Sequence, residues 1–246
     1  TWNHLWYLAY VLIYILIALA ILPWLRRVPE SRAWQALTTR PLAVVFVLIL
    51  PFVAVETWLV PIYPTTHDLI NDWANHAHRF MIFLVGFFVA KDSRFWGSVN
   101  KVWKFAPALA MAAWLVLQNG EDVANWLRRF LSDTQLRFSL NYIGITYAWS
   151  CILTLLGFAQ RFLNRESLQL RYLTGAIFCY YVLHQTITII AGYYLTTYQL
   201  GVVVESALVL GITIAGCVLG YELIRRIPGI GILFGVHPVS GYRSGR

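Results

Sequence analysis

The sequence predicts an all-α, polytopic membrane protein with about seven transmembrane helices, and three observations carry that reading. Residues 5–25 form a run of twenty-one positions without a charge, closed by Arg26 and Arg27. At ~1.5 Å per residue, such a run crosses a hydrocarbon core of roughly 30 Å. Hydrophobic residues make up 59% of the 246 positions and charged residues only 12%, about half the charged share usual for soluble domains. Long apolar runs then recur along the chain, separated by short polar segments. Their periodicity suggests no soluble domain and no sequence repeat.

The first span covers about 5–25 and opens on WNHLW, which places His4 at its start. The chain begins at Thr1 directly on this span, without a methionine, so further residues are expected upstream. The second span, 42–61, is interrupted by Pro51 and carries Glu56 about one turn from its far end. His78 and Arg79 open the third, 77–90. Glu56 and Arg79 sit deeper than the other charges at that level. An unpaired charge there is unfavourable, so these two are expected to pair. The fourth span, 103–118, is short and contains Pro107. Segments 93–101 (SRFWGSVNK) and 121–131 (EDVANWLRRFL) read as amphipathic interfacial pieces.

The fifth span is 139–160, the sixth 173–195 and the seventh 202–224. Near the middle of the sixth, in FCYYVLHQT, lies His184. Tyr181 and Tyr180 precede it by three and four residues and share its helix face, and Gln185 adds another polar group. A histidine at that depth is either satisfied by a tyrosine hydroxyl or backbone carbonyl, as a packing group, or lines a substrate cavity. Acids at helix starts, such as Glu205, suit the helix dipole and need no further reason.

Lys and Arg fix the expected orientation. Fifteen of the 19 fall in one set of connections: Arg26, Arg27, Arg32 and Arg40; Lys91, Arg94, Lys101 and Lys104; Arg161, Arg165 and Arg171; and Arg225, Arg226, Arg243 and Arg246. The remaining four are Arg79, Arg128, Arg129 and Arg137. The alternation never breaks, so the fifteen-residue side is expected to be cytoplasmic, with the C-terminus on that side. This placement accounts for the net charge of +8 without a nucleic-acid partner.

Other chemistries find little support. Cys151, Cys179 and Cys217 each stand singly in apolar runs, as small membrane-helix residues do. His67, Asp68, Asp72, His76 and His78 are metal-ligand types, but His76 and His78 are two apart and diverge on a helix. Asp72 and His76 share a face, and two ligands do not close a site. No metal is expected, nor a bis-histidine haem between His4, His78 and His184, whose depths differ. There is no phosphate-cradling glycine loop and no Gly-x-Ser-x-Gly elbow.

Three stretches resemble the acyltransferase family 3 membrane proteins, and within them a glucan-succinylating branch. NHLWYLAYVLIY at 3–14 is similar to the family's His-Leu-Trp-Phe/Tyr-Leu helix. HRFMIFLVGFFVAKDSRFW at 78–96 resembles its Phe-rich helix with a polar exit. YLTGAIFCYYVLHQTITIIAGYYL at 172–195 resembles its Tyr-x-Leu-His-Gln helix, followed by a last span ending in Glu-Leu-Ile-Arg-Arg. Cys179 stands where family members usually have proline. The resemblance implies a bacterial inner-membrane enzyme of about ten spans in one domain. It would take an acyl group, succinyl or acetyl, from cytoplasmic acyl-CoA to a sugar hydroxyl of an outer glucan or other glycan. No bound cofactor is expected beyond that donor substrate. The resemblance also places the catalytic histidine and a partner arginine in a span upstream of Thr1. Tyr181, His184, Gln185, His4, Glu56, His78 and Arg79 are then candidates to line the cavity. The alternative is a carrier or flippase for a glycan or small polar substrate.

Overall fold

The computed structural model describes residues 6–227 and 229–235, so His4 lies outside the described residues. All regular structure among them is helical. Two compact units divide the chain, 1–164 and 165–246.

In the first unit, α1 (Trp6–Ala20) breaks at Ile21 and bends by 77° into the short α2 (Leu22–Leu25) and a 3₁₀ turn at Val28–Glu30. Pro23 sits in the first turn of α2, where its missing N–H costs nothing. The described part of the uncharged run, residues 6–25, is therefore two helices. α3 (Arg32–Thr39) is capped by Ser31, whose hydroxyl accepts from the Trp34 amide at 3.2 Å. The second span runs over Pro41–Leu59 as α4 (Pro41–Phe46), α5 (Leu50–Ala54) and a π-helical turn, Val55–Leu59.

A kink separates α4 from α5. Pro51 has no N–H to give the Val47 carbonyl, which instead accepts from Leu50 at 3.1 Å. The Leu48 amide reaches back to Ala43. These shifts free the carbonyls of Val44 and Phe46, and two side chains take them up. Trp149 Nε1 donates to Val44 at 2.8 Å and the Tyr142 hydroxyl to Phe46 at 3.0 Å.

After a loop, α6 (Trp73–Val89) leads to α7 (Ser93–Val102), α8 (Ala106–Gln118) and α9 (Gly120–Leu127). Pro107 begins α8 rather than interrupting it. α10 (Asp133–Phe158) starts on a capping box between Ser132 and Gln135 and ends in a second π-helical turn, Ala159–Leu163.

The segment 93–101 belongs to α7, whose Ser93, Gly97, Asn100 and Lys101 are exposed. On its other face Phe95, Val99 and Val102 are fully buried and centre the core, against Trp34, Val44, Val45, Leu48 and Leu153. The amphipathic pattern is real, but the apolar face meets α3 and α4 instead of lipid.

The second unit is a helical hairpin, α11 (Leu168–Leu195) and α12 (Val202–Ile224), with a short α13 (Ile230–Leu233). Ser167 caps α11, accepting from the Leu170 amide at 3.0 Å. Between the long helices, Gln199 and Gly201 take positive φ, which turns the chain back. The hairpin packs closely: Ala176 and Cys179 are buried beside Tyr221. Thr188 and Thr213 bond across it at 2.9 Å.

Four helices are long and apolar enough to cross a membrane: Pro41–Leu59, Asp133–Leu163, Leu168–Tyr198 and Val202–Ile224. The broken first helix would make a fifth. The expected count of seven is therefore not reached by length among the described residues, because α6 has 17 residues and α8 has 13. In the windows of the last two spans only 11% and 6% is buried. So much exposed apolar surface fits a hydrocarbon surround and not water.

Candidate functional site

One end of the first unit gathers a cluster of polar groups. The loop at 62–72 folds over the start of α1, and Asp72 is its centre. Its carboxylate is buried and accepts four hydrogen bonds: from the Tyr10 hydroxyl at 2.8 Å, Asn75 Nδ2 at 2.7 Å, and the amides of Thr66 at 3.0 Å and His67 at 3.2 Å. Burial pushes this carboxyl up, but the bonds from Asn75, Thr66, Tyr10 and His67 outweigh it and hold it below the usual carboxylate range. His67 has a φ of 56°, a left-handed conformation uncommon outside glycine. Its amide bond to Asp72 and its ring contact with Trp6, 4.4 Å between centroids, keep it there.

His76 lies one turn along α6. Its Nε2 meets the Leu69 carbonyl at 2.9 Å, and a carbonyl only accepts, so Nε2 carries the proton. The Tyr14 hydroxyl then donates to Nδ1 at 3.1 Å. The ring stacks on Tyr10 at 4.3 Å. Asp72 and His76 are thus committed to holding the loop. They were legible in the sequence only as metal-ligand types, and among the described residues no group of three such side chains converges.

Glu56 and His78 meet nearby. Glu56 stands in the π-helical turn, and its Oε1 lies 3.1 Å from His78 Nδ1; the side chains are 32% and 30% exposed. Glu56 therefore pairs with His78 and not with Arg79, whose Nε donates to Asn75 Oδ1 at 3.1 Å. The reason is helix geometry. Adjacent residues point about 100° apart, and it is position 78 that faces the second span. With Nδ1–H directed at the carboxylate, His78 presents Nε2 as an acceptor. A carboxylate-oriented imidazole is a proton-accepting arrangement.

Beside this end of the unit are two recesses. One of about 450 Å³ is lined by Trp6, Tyr10, His67 and Asp68 among others. The second, about 470 Å³, lies along Tyr14, Leu59, Trp73 and His76.

The family model described as an acyltransferase domain (Acyl_transf_3) matches residues 1–222. The chain belongs to acyltransferase family 3. No curated protein and no solved structure matches it.

The match covers the first unit and the second as far as residue 222. The other expected site residues lie in the second unit. His184 Nδ1 sits 3.1 Å from the Tyr180 carbonyl, so that carbonyl is a partner of the ring. The ring of Tyr181 stands 5.8 Å away. Gln185 follows on α11, half-buried. At the basic end of the same hairpin, Tyr172 donates to Glu222 at 2.8 Å, and Arg225 pairs with Glu222 at 2.9 Å. Tyr10, Tyr14 and Asn75 had no sequence signal of their own. The nearest was the position of Asp72 just before an apolar helix, a capping position.

Proposed function

We propose that the protein is a membrane-embedded O-acyltransferase. It moves a succinyl or acetyl group from cytoplasmic acyl-CoA to a sugar hydroxyl of a periplasmic or cell-surface glucan. The observation that carries this reading is the acyltransferase domain match over residues 1–222. The Glu56–His78 pair supports it. In the transfer, the thioester C–S bond breaks and a C–O bond to the sugar forms. CoA leaves as the thiol, and the hydroxyl proton passes to a base. His78 Nε2 accepts a hydrogen bond from the acceptor hydroxyl, and Glu56 holds the ring in that tautomer. The recess beside Trp6, Tyr10 and Asp68 has the aromatic and acidic lining that suits a sugar.

The test is transfer of radiolabel from succinyl-CoA or acetyl-CoA to glucan by the full protein in proteoliposomes. Protein-dependent acylation is expected. His78→Gln should lower the rate about tenfold to a hundredfold, the cost of one lost hydrogen bond at the transition state. Glu56→Gln should shift the pH–rate profile. Passage of unmodified glycan without label would establish the carrier alternative instead.

A further inference from the structure

The basic end of the first unit holds a recess of about 620 Å³ that the acyl-transfer reading does not use. It lies where the chain leaves the membrane twice, after α2 and after α6. Its walls include Leu25, Phe87 and Phe88, and Phe87 is 44% exposed. At its rim stand three cations: Arg26, Lys91 and Arg94.

The corner is firmly built. Asp92 is buried and accepts from Trp34 Nε1 at 2.8 Å and from Arg94 through its amide, Nε and Nη2, at 2.9–3.0 Å. Arg94 Nη2 also donates to the Pro29 carbonyl at 2.9 Å. Asp92 is thereby neutralised, and Arg94 keeps both N–H groups of Nη1 uncommitted. Arg26 and Lys91 have no acidic partner among the described residues. The recess therefore combines an aromatic wall open to the apolar surround with two surplus positive charges and a free guanidinium edge. Its volume lies within the range of small-molecule sites.

We propose that this recess binds the phosphate headgroup of an anionic phospholipid, with an acyl chain lying along Phe87. The site rests on the sidedness read from the Lys and Arg distribution, which puts this corner at the anionic cytoplasmic leaflet. A soluble phosphate has no use for the aromatic wall. Trp24, 63% exposed beside Arg26, is the interfacial anchor expected at such a level.

Native mass spectrometry of the full protein in micelles supplied with phosphatidylglycerol and phosphatidylcholine tests the site. Wild type should retain phosphatidylglycerol preferentially. The double variant Arg26→Gln/Lys91→Gln, which leaves the Asp92 corner intact, should lower that retention roughly thirtyfold. Arg128→Gln/Arg129→Gln, with the same loss of charge elsewhere, should leave it unchanged. Millimolar coenzyme A should not displace the lipid. Equal retention of the two lipids, an equal effect of the control variant, or displacement by coenzyme A would each overturn the proposal. Acyl transfer is read separately, so the two readings fail independently.

Discussion

A single carboxylate, Asp72, ties the loop at 62–72 to α1 and α6. Its carboxyl is held below the ordinary value, so its contribution to stability is fully present above the usual carboxylate range, ~pH 4. That contribution is lost as pH falls through its own lower value. Protection against hydrogen exchange at the Thr66 and His67 amides, relative to the intrinsic rate at each pH, should therefore hold down to about pH 4 and fall below it. Asp72→Ala should remove the protection at every pH and destabilise the protein by about 1–3 kcal/mol. Protection that persists in the alanine variant would mean that the loop is held by other contacts. The sequence marked Asp72 only as a metal-ligand type. What it lacked was Tyr10, 62 residues away. The same limit explains the pairing of Glu56. Depth along a span is readable from counting, but which of two adjacent residues faces the neighbouring helix depends on rotation about the axis.

Between elements, two close approaches separate rigid from yielding contacts. A Cβ on Gly157 in α10 would stand 2.1 Å from the Trp103 Cβ and 2.7 Å from its Cγ. These atoms lie at the root of a large side chain, so the helix itself must move. On Gly220 in α12, the nearest atom is the terminal Cδ1 of Leu183 at 2.6 Å, which can rotate away. Gly157→Ala should cost about 1–3 kcal/mol or more and Gly220→Ala clearly less, measured by reversible unfolding in detergent. Equal losses would show that the hairpin is as tightly fitted as the first unit. The long helices α10, α11 and α12 were legible as apolar runs with polar flanks. The kink at 47–49 was signalled by Pro51. The burial of α7 was not, because an amphipathic helix has the same pattern whether lipid or protein covers its apolar face.

Across the whole molecule, the charge partition agrees with the structure inside each unit. Connections 26–40 and 91–104 meet at one end of the first unit, through Trp34–Asp92 and Arg94–Pro29. In the second unit, Tyr172 and Arg225 meet on Glu222, at one end of the hairpin. Single cysteines at positions 32 and 165, in a cysteine-free background, should resist a membrane-impermeant reagent in intact cells and react after permeabilisation. Labelling at either position from outside would overturn the orientation. The number of spans was less legible than their order, because hydropathy reports apolar length without reporting where a helix bends.

That bend has a consequence for the bilayer itself. Below the break, the described part of α1 has 15 residues, and α8 has 13. At ~1.5 Å per residue these rise roughly 20 Å, well short of a hydrocarbon core of about 30 Å. Pro41–Leu59 and Asp133–Leu163 in the same unit are long enough to cross, so only lipid beside the shorter helices would thin to meet them, a hydrophobic mismatch that costs a fraction of a kcal/mol per Å. Thinning narrows the barrier at the place where the polar cluster and the basic corner stand at opposite ends of α1 and α6.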